Sequence, residues 1–195
     1  MKNIGILIFE GVEELDAFGP WEVLAWWTQN FPDDGYRVSL VSRTGEPIRA
    51  AKGLIVTPQM STRDAEPFEV FLHPGGQGAR QLMRDPDHLA WIREIATITP
   101  LMTSVCTGSL VYAAAGLLRG RPATTYWDSL HMLTDLDPNI ETRPDDRWVD
   151  DGNMLTSAGV SAGIDMSLHL VSRLVSPDRA RAVRRGIQYD PHPPV

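Results

Sequence analysis

The sequence contains a single cysteine, Cys106, in 195 residues. No disulfide can form within the chain, so its stability must come from a packed core, and the composition suits a reducing compartment. No apolar run approaches the roughly 18 residues that a membrane-spanning helix needs. Basic residues are in the minority: 18 Lys and Arg stand against 25 Asp and Glu, for a net charge of −7 and a pI of about 5.2. A nucleic-acid surface usually shows as a basic domain, so neither nucleic acid nor membrane is an expected partner. There is no internal repeat and no low-complexity tract. Met1-Lys2-Asn3 leads straight into strand-like sequence without the zones of a signal peptide. A cytoplasmic protein with one domain over residues 1–195 is expected.

What is present is an alternation of strand-like and helix-like segments. Residues 3–9, NIGILIF, form a nearly unbroken apolar run of the kind buried on both faces of a parallel sheet. A loop, EGVEELD, is expected over residues 10–16, with a helix starting at Gly19-Pro20, since proline suits a first helical position. Trp21, Trp26 and Trp27 give that helix more aromatic surface than a solvated helix needs. Further strands are expected at residues 36–42 and 68–73, and hairpins at residues 47–57 and around Asp151-Gly152-Asn153. Asp85 is placed to cap a helix with Leu89, Ile92 and Ala96 on one face. Ile164, Leu168, Val171 and Val175 mark another by their spacing. A last helix follows Ser176-Pro177; its arginines read as a solvated face, and the chain from Pro191 as an extended tail. This alternation predicts an α/β fold with a largely parallel central sheet and an added β-hairpin.

The segment LMTSVCTGSLVYAAAG, residues 101–116, organises the rest. A buried strand turns at Cys106-Thr107-Gly108 directly into a helix. Such a turn strains and exposes its central residue and points the helix N-terminus at it, a setting that lowers a thiol pKa. Cys106 is therefore a candidate nucleophile, against the alternative of a small buried hydrophobe. Pro74-Gly75-Gly76 follows another strand, and its backbone N–H groups are candidates for holding a developing anion. The loops after Phe9, His73 and Val105 all follow strands, so a parallel sheet brings them to one edge. His73, His88, His131, His169 and His192 show no metal-ligand spacing, and no cofactor is implied.

Three motifs together resemble the ThiJ/PfpI superfamily, the class I glutamine-amidotransferase-like proteins: Glu13-Glu14-Leu15-Asp16, Pro74-Gly75-Gly76 and Ser104-Val105-Cys106-Thr107-Gly108. The resemblance covers almost the whole chain. VCTGSL, AAGLL, GRPATT and SAGVSAGID are closest in pattern to the isonitrile hydratases, and next to the sensor domains of arabinose-regulator-type transcription factors. The resemblance implies a flavodoxin-like three-layer α/β/α sandwich and a homodimer with its site near the subunit contact. It implies Cys106 as nucleophile, Asp16 as acid and base, and Thr107 beside them. Gly75, Gly76 and Tyr126 are implied to meet substrate or oxyanion, and Tyr126 stands where those branches commonly have histidine. Thr107 occupies the place of the histidine in protease-like members, so peptidase activity is disfavoured. The regulators carry a further C-terminal helix-turn-helix region, which this sequence does not show, so DNA binding by this chain is not expected.

Three functions remain open at this stage. One is hydration of an isonitrile to an N-substituted formamide through a Cys106 thioimidate, with Asp16 moving the protons. Another is glyoxalase-like chemistry on a different small electrophile by the same pair. The third is a non-catalytic sensor whose thiol is oxidised reversibly.

Overall fold

The computed structural model describes residues 1–191, so the tail beyond Pro191 lies outside the described residues. β1 (Lys2–Leu7) is buried from Asn3 onward. α1 spans Glu14–Asn30, starting more than a turn before the expected Gly19-Pro20. Glu14 and Asp16 occupy its first turn, where carboxylates meet unpaired backbone N–H groups. Pro20 lies inside the helix and omits the one bond a residue-20 N–H would give to the Asp16 carbonyl. Asp16 therefore belongs to a helix rather than to the expected loop, and the helix fixes the direction of its side chain. The expected aromatic surplus of α1 is largely used within the chain. Trp27 is fully buried with its Nε1 donating to Asp34 Oδ2 at 2.7 Å, and Trp26 lies against Gly186 and the Phe31 ring.

β2 covers Tyr36–Ser42. The expected hairpin is β3 (Ile48–Arg49) paired antiparallel with β4 (Ile55–Val56), in a small sheet of its own. β5 (Met60–Ser61) adds a short parallel edge to β2. β6 (Phe68–His73) leads into α2 (Gln77–Leu82), a helix not anticipated because Gly76 and Gly78 read as loop. α3 (Pro86–Ile98) is capped by the Asp85 carboxylate, which accepts from the Asp87 and His88 N–H groups; it buries His88, Ile92 and Ile95 rather than the expected Leu89–Ile92–Ala96 stripe. β7 (Leu101–Val105) is buried throughout and α4 (Gly108–Ala114) follows. β8 (Pro122–Ala123), α5 (Leu130–Leu136) and β9 (Glu141–Thr142) lead to the hairpin of β10 (Trp148–Asp151) and β11 (Met154–Ser157), turned by Gly152. α6 (Ala162–Leu174) buries Met166, Leu170 and Val171. Of the stripe expected there, Ile164 and Leu168 are half-buried and Val175 is exposed. α7 (Pro177–Gly186) starts on Ser176, whose hydroxyl accepts from the Arg179 N–H, and its Arg179 pairs with Asp34.

The main sheet runs β10-β11-β7-β6-β1-β2-β5, parallel except for the β10–β11 pair. α1 packs on α6 and α6 on α7; α4 meets α2, α3 and α5. This is a three-layer α/β/α sandwich. After β1 the chain moves outward to β2 and later returns to β6 on the other side of β1. The connections from β1 and β6 thus lead to opposite sides of the sheet, and a crevice opens at the C-terminal ends of the strands, where such sheets bind ligands.

Candidate active site

The sharp turn after β7 puts Cys106 at φ 56°, in the left-handed region that a non-glycine residue rarely occupies. The turn is clamped by its neighbours. The Cys106 N–H donates to the Ser157 and Ala158 carbonyls at 3.1 and 3.2 Å, and its carbonyl accepts from Thr125 Oγ1 at 2.8 Å and Ser109 Oγ at 3.1 Å. Hydrogen bonds to β11 and to the Thr125 segment over-determine a conformation that isolated sequence would not choose.

The loop after β6 packs directly against this turn. Gly75 N–H donates to Asp16 Oδ2 at 3.0 Å, and Gly76 N–H donates to Thr107 Oγ1 at 3.0 Å. A Cβ on Gly75 would fall 2.6 Å from Thr107 Oγ1 and 2.8 Å from Asp16 Oδ2, so only glycine admits this approach. Gly76 has φ 115° and pairs with Val12 in an isolated bridge. The glycine N–H groups expected to meet an oxyanion are thus engaged inside the protein, one holding the acid and the other the threonine. The N–H groups that do face the Cys106 sulfur are those of Thr107 and Val160. Val160 has φ 50°, a severe outlier for a β-branched residue, and its N–H also faces the Asp16 carboxyl. In sequence this stretch shows only the SAGVSAGID pattern, and nothing in a valine announces positive φ.

Asp16 and Cys106 are both buried and act on each other. Burial pushes the Asp16 carboxyl up to about 7, against the pull of the Cys106 thiol and the Gly75 N–H. Its Oδ1 has no hydrogen bond of ordinary geometry. Burial, and then the Asp16 charge, push the Cys106 thiol well above the ordinary cysteine range. This reverses the expectation of a lowered thiol pKa. The helix N-terminus is present, but desolvation and a like charge at the same sulfur outweigh it. Above the Asp16 transition the pair therefore keeps one proton between two acids, mainly on sulfur.

A cavity of about 460 Å³ opens onto Cys106, with Asp16 buried behind it; it is lined by Cys106, Thr107, Gly76, Tyr126 and Val160 and, on its outer wall, by Glu13, Ala51, Lys52, Gln77 and Arg80. Tyr126 lines the cavity with its ring against Gly159. The β3–β4 hairpin is tied over the site: Ala51 N–H donates to the Val12 carbonyl at 2.8 Å, Lys52 N–H to Glu14 Oε1 at 2.6 Å, and Lys52 Nζ to Glu13 Oε1. Arg80 enters from α2, the helix missing from the sequence reading, so its place at the site had no legible signal. Behind the glycine loop His73 Nδ1 meets the Pro74 carbonyl at 2.7 Å and its Nε2 meets His88 Nε2 at 3.1 Å. Burial holds His73 neutral, pushed down to about 3, and neither histidine reaches the cavity. Among the described residues no group of three His, Cys, Asp or Glu is arranged to hold a metal ion.

The sequence pattern of the DJ-1/PfpI family matches residues 2–173. The chain is 42% identical over 193 residues to the isonitrile hydratase of Pseudomonas putida, covering 98% of this chain and 80% of that one. It is 27% identical over 191 residues to the HTH-type transcriptional regulator GbdR of Pseudomonas aeruginosa, covering 97% of this chain but 51% of the regulator. Among solved structures, a ThiJ/PfpI family protein from Pseudomonas syringae superposes with a TM-score of 0.87 at 30% identity, over 100% of this chain and 77% of that one.

Proposed function

The chain belongs to the DJ-1/PfpI family, and within it we propose that this member hydrates an isonitrile to an N-substituted formamide. The observation that carries the reading is the buried Asp16–Cys106 pair, two acids in mutual contact with the cysteine open to a cavity. The identity to an isonitrile hydratase supports it. An isonitrile carbon needs a nucleophile and a proton at the same atom. Asp16 carboxylate takes the thiol proton and delivers it to the terminal carbon as sulfur bonds there, giving the thioimidate R–N=CH–S–Cys106. Asp16 then takes a proton from water as the hydroxide adds to that carbon and passes the proton to the nitrogen, returning to carboxylate. Collapse breaks the C–S bond, the hydroxyl proton returns through Asp16 to sulfur, and R–NH–CHO leaves. The Thr107 and Val160 N–H groups face the sulfur and stabilise charge that gathers on it. The Thr107 hydroxyl accepts from the Gly76 N–H and holds the glycine loop in place.

A redox-sensor reading draws on the similarity to the regulator GbdR. The raised thiol disfavours it, because oxidants react with thiolate. A panel of alkyl isonitriles and 2-oxoaldehydes decides: formamide from the former is expected. Turnover of only the oxoaldehydes transfers the pair to glyoxalase-like chemistry, and turnover of neither leaves the sensor.

The same reading extends to assembly in a cytoplasmic, one-domain protein of this family. Leu54 and Ile55 on the β3–β4 hairpin are 51% and 61% exposed, and Leu15 lies exposed in the first turn of α1, whose Glu14 holds the hairpin tip. We expect a homodimer through this apolar surface beside the cavity, with a mass twice 21.6 kDa in light scattering at micromolar concentration. Ile55→Asp should shift it to monomer; a monomeric wild type would remove the interface.

A further inference from the structure

Resting on the hydration reading, we infer that the cavity is built for an isonitrile whose skeleton also carries a carboxylate, and that Arg80 is the residue that binds it. The ionised groups of the outer wall do not balance. Glu13 and Lys52 pair with each other, and Lys52 is also 3.5 Å from Glu14. Arg80 lines the same cavity with no acidic partner among the described residues. Its guanidinium is nevertheless held in place: one terminal nitrogen donates to Ser129 Oγ at 2.9 Å and the other to Met132 Sδ at 3.1 Å. Ser129 is buried, so the cation is docked on a neutral, fixed support.

A guanidinium offers a planar fork of donors matched to a carboxylate, and these neutral contacts leave most of that fork unused. A cavity of about 460 Å³ is also larger than the two-atom isonitrile group requires, which leaves room for a chain ending in an acid. The reacting pair itself repels a second anion, since it carries one negative charge above neutral pH. An acid group is therefore best received at the outer wall, away from Cys106, and Arg80 is the cation there that no carboxylate of the described residues neutralises. The arrangement orients the substrate: the acid anchors outward and the isonitrile carbon is directed inward to the thiol.

The test compares 3-isocyanopropanoate with its methyl ester, in the wild type, Arg80→Gln and Arg80→Lys. The wild type should favour the acid in kcat/KM. The acid-to-ester ratio should fall by about 10–100-fold in Arg80→Gln, the range of a hydrogen bond between charged groups, and Arg80→Lys should retain part of it. A second measurement needs no turnover: the ratio of Cys106 alkylation rates with 5-iodopentanoate and 5-iodopentanamide, whose acid or amide stands as many bonds from the reacting carbon as the acid of 3-isocyanopropanoate does. It should fall with Arg80→Gln in the same direction. An unchanged alkylation ratio removes the anion site, whatever the turnover shows. A wild type that does not favour the acid over the ester overturns the substrate assignment. A changed alkylation ratio with no turnover of any isonitrile keeps the anion site and removes the hydration reading.

Discussion

Cys106→Ala should lower formamide formation by at least about 10⁴-fold, because removing a covalent nucleophile removes the intermediate and not merely a contact. The protein should remain folded. Cys106 is small, and the turn that carries it is held through backbone groups to Ser157, Ala158 and Thr125, which the substitution leaves in place. A further variant separates chemistry from strain. At φ 56° an alanine keeps the left-handed penalty and a glycine does not. Cys106→Gly should therefore be more stable than Cys106→Ala by about 1 kcal/mol while equally inactive. The thiolate absorbance of the wild type should be absent at pH 7 and appear only well above the ordinary cysteine range, and Cys106→Ala should remove it. Turnover surviving in Cys106→Ala would move the chemistry to another group. A thiolate present at pH 7 would show that helix polarity, not burial, governs this sulfur.

Much of this site was legible because its parts are local. A strand that turns into a helix at Val-Cys-Thr-Gly can be read from the run of apolar residues, the glycine and the helix formers. The parallel pairing of β1 with β6 and of β6 with β7 then brings Asp16, Gly75 and Cys106 to one edge. What escaped depends on distant contacts. The start of α1 at Glu14 overrides a proline signal, because Pro20 can sit inside the helix with the loss of one bond. Val160 takes positive φ only because its turn meets the Cys106 elbow. The glycine N–H groups looked available to a substrate until their partners, Asp16 and Thr107, arrived from other elements. The thiol shift had the wrong expected sign for the same reason: a helix terminus is visible in sequence, whereas desolvation by the packed sandwich is not. Arg80 lay on a short helix whose glycine flanks read as loop.

Asp16→Asn should act on catalysis and stability in opposite directions. The amide keeps the shape and can still accept from the Gly75 N–H, but it cannot exchange a proton. Turnover should fall roughly 10²–10⁴-fold, the range for a general acid–base group, with KM little changed. In the wild type the pair holds two protons at low pH and one above the Asp16 transition. Activity should therefore rise as pH increases through about 7 and stay level until the thiol proton is lost. Asp16→Asn should lose that limb. The stability sign follows from the same shift. Folding raises the carboxyl from 3.8 to about 7, so between those values the folded state binds the proton that the unfolded state has released. Wild-type stability thus falls as pH rises across that window and stays low above it. Asp16→Asn carries no such penalty. It should be more stable than wild type at pH 8 by something on the order of 2–4 kcal/mol, and close to it at pH 4. Thermal unfolding at the two pH values reads the difference. Equal melting temperatures at pH 8 would mean that the carboxyl is not held in a dehydrated pocket. Retained turnover with the pH limb intact would place the proton transfer on another residue. A buried carboxylate that lowers stability at working pH is what a general acid tuned to neutrality requires, since the desolvation that destabilises the fold is also what keeps its proton available.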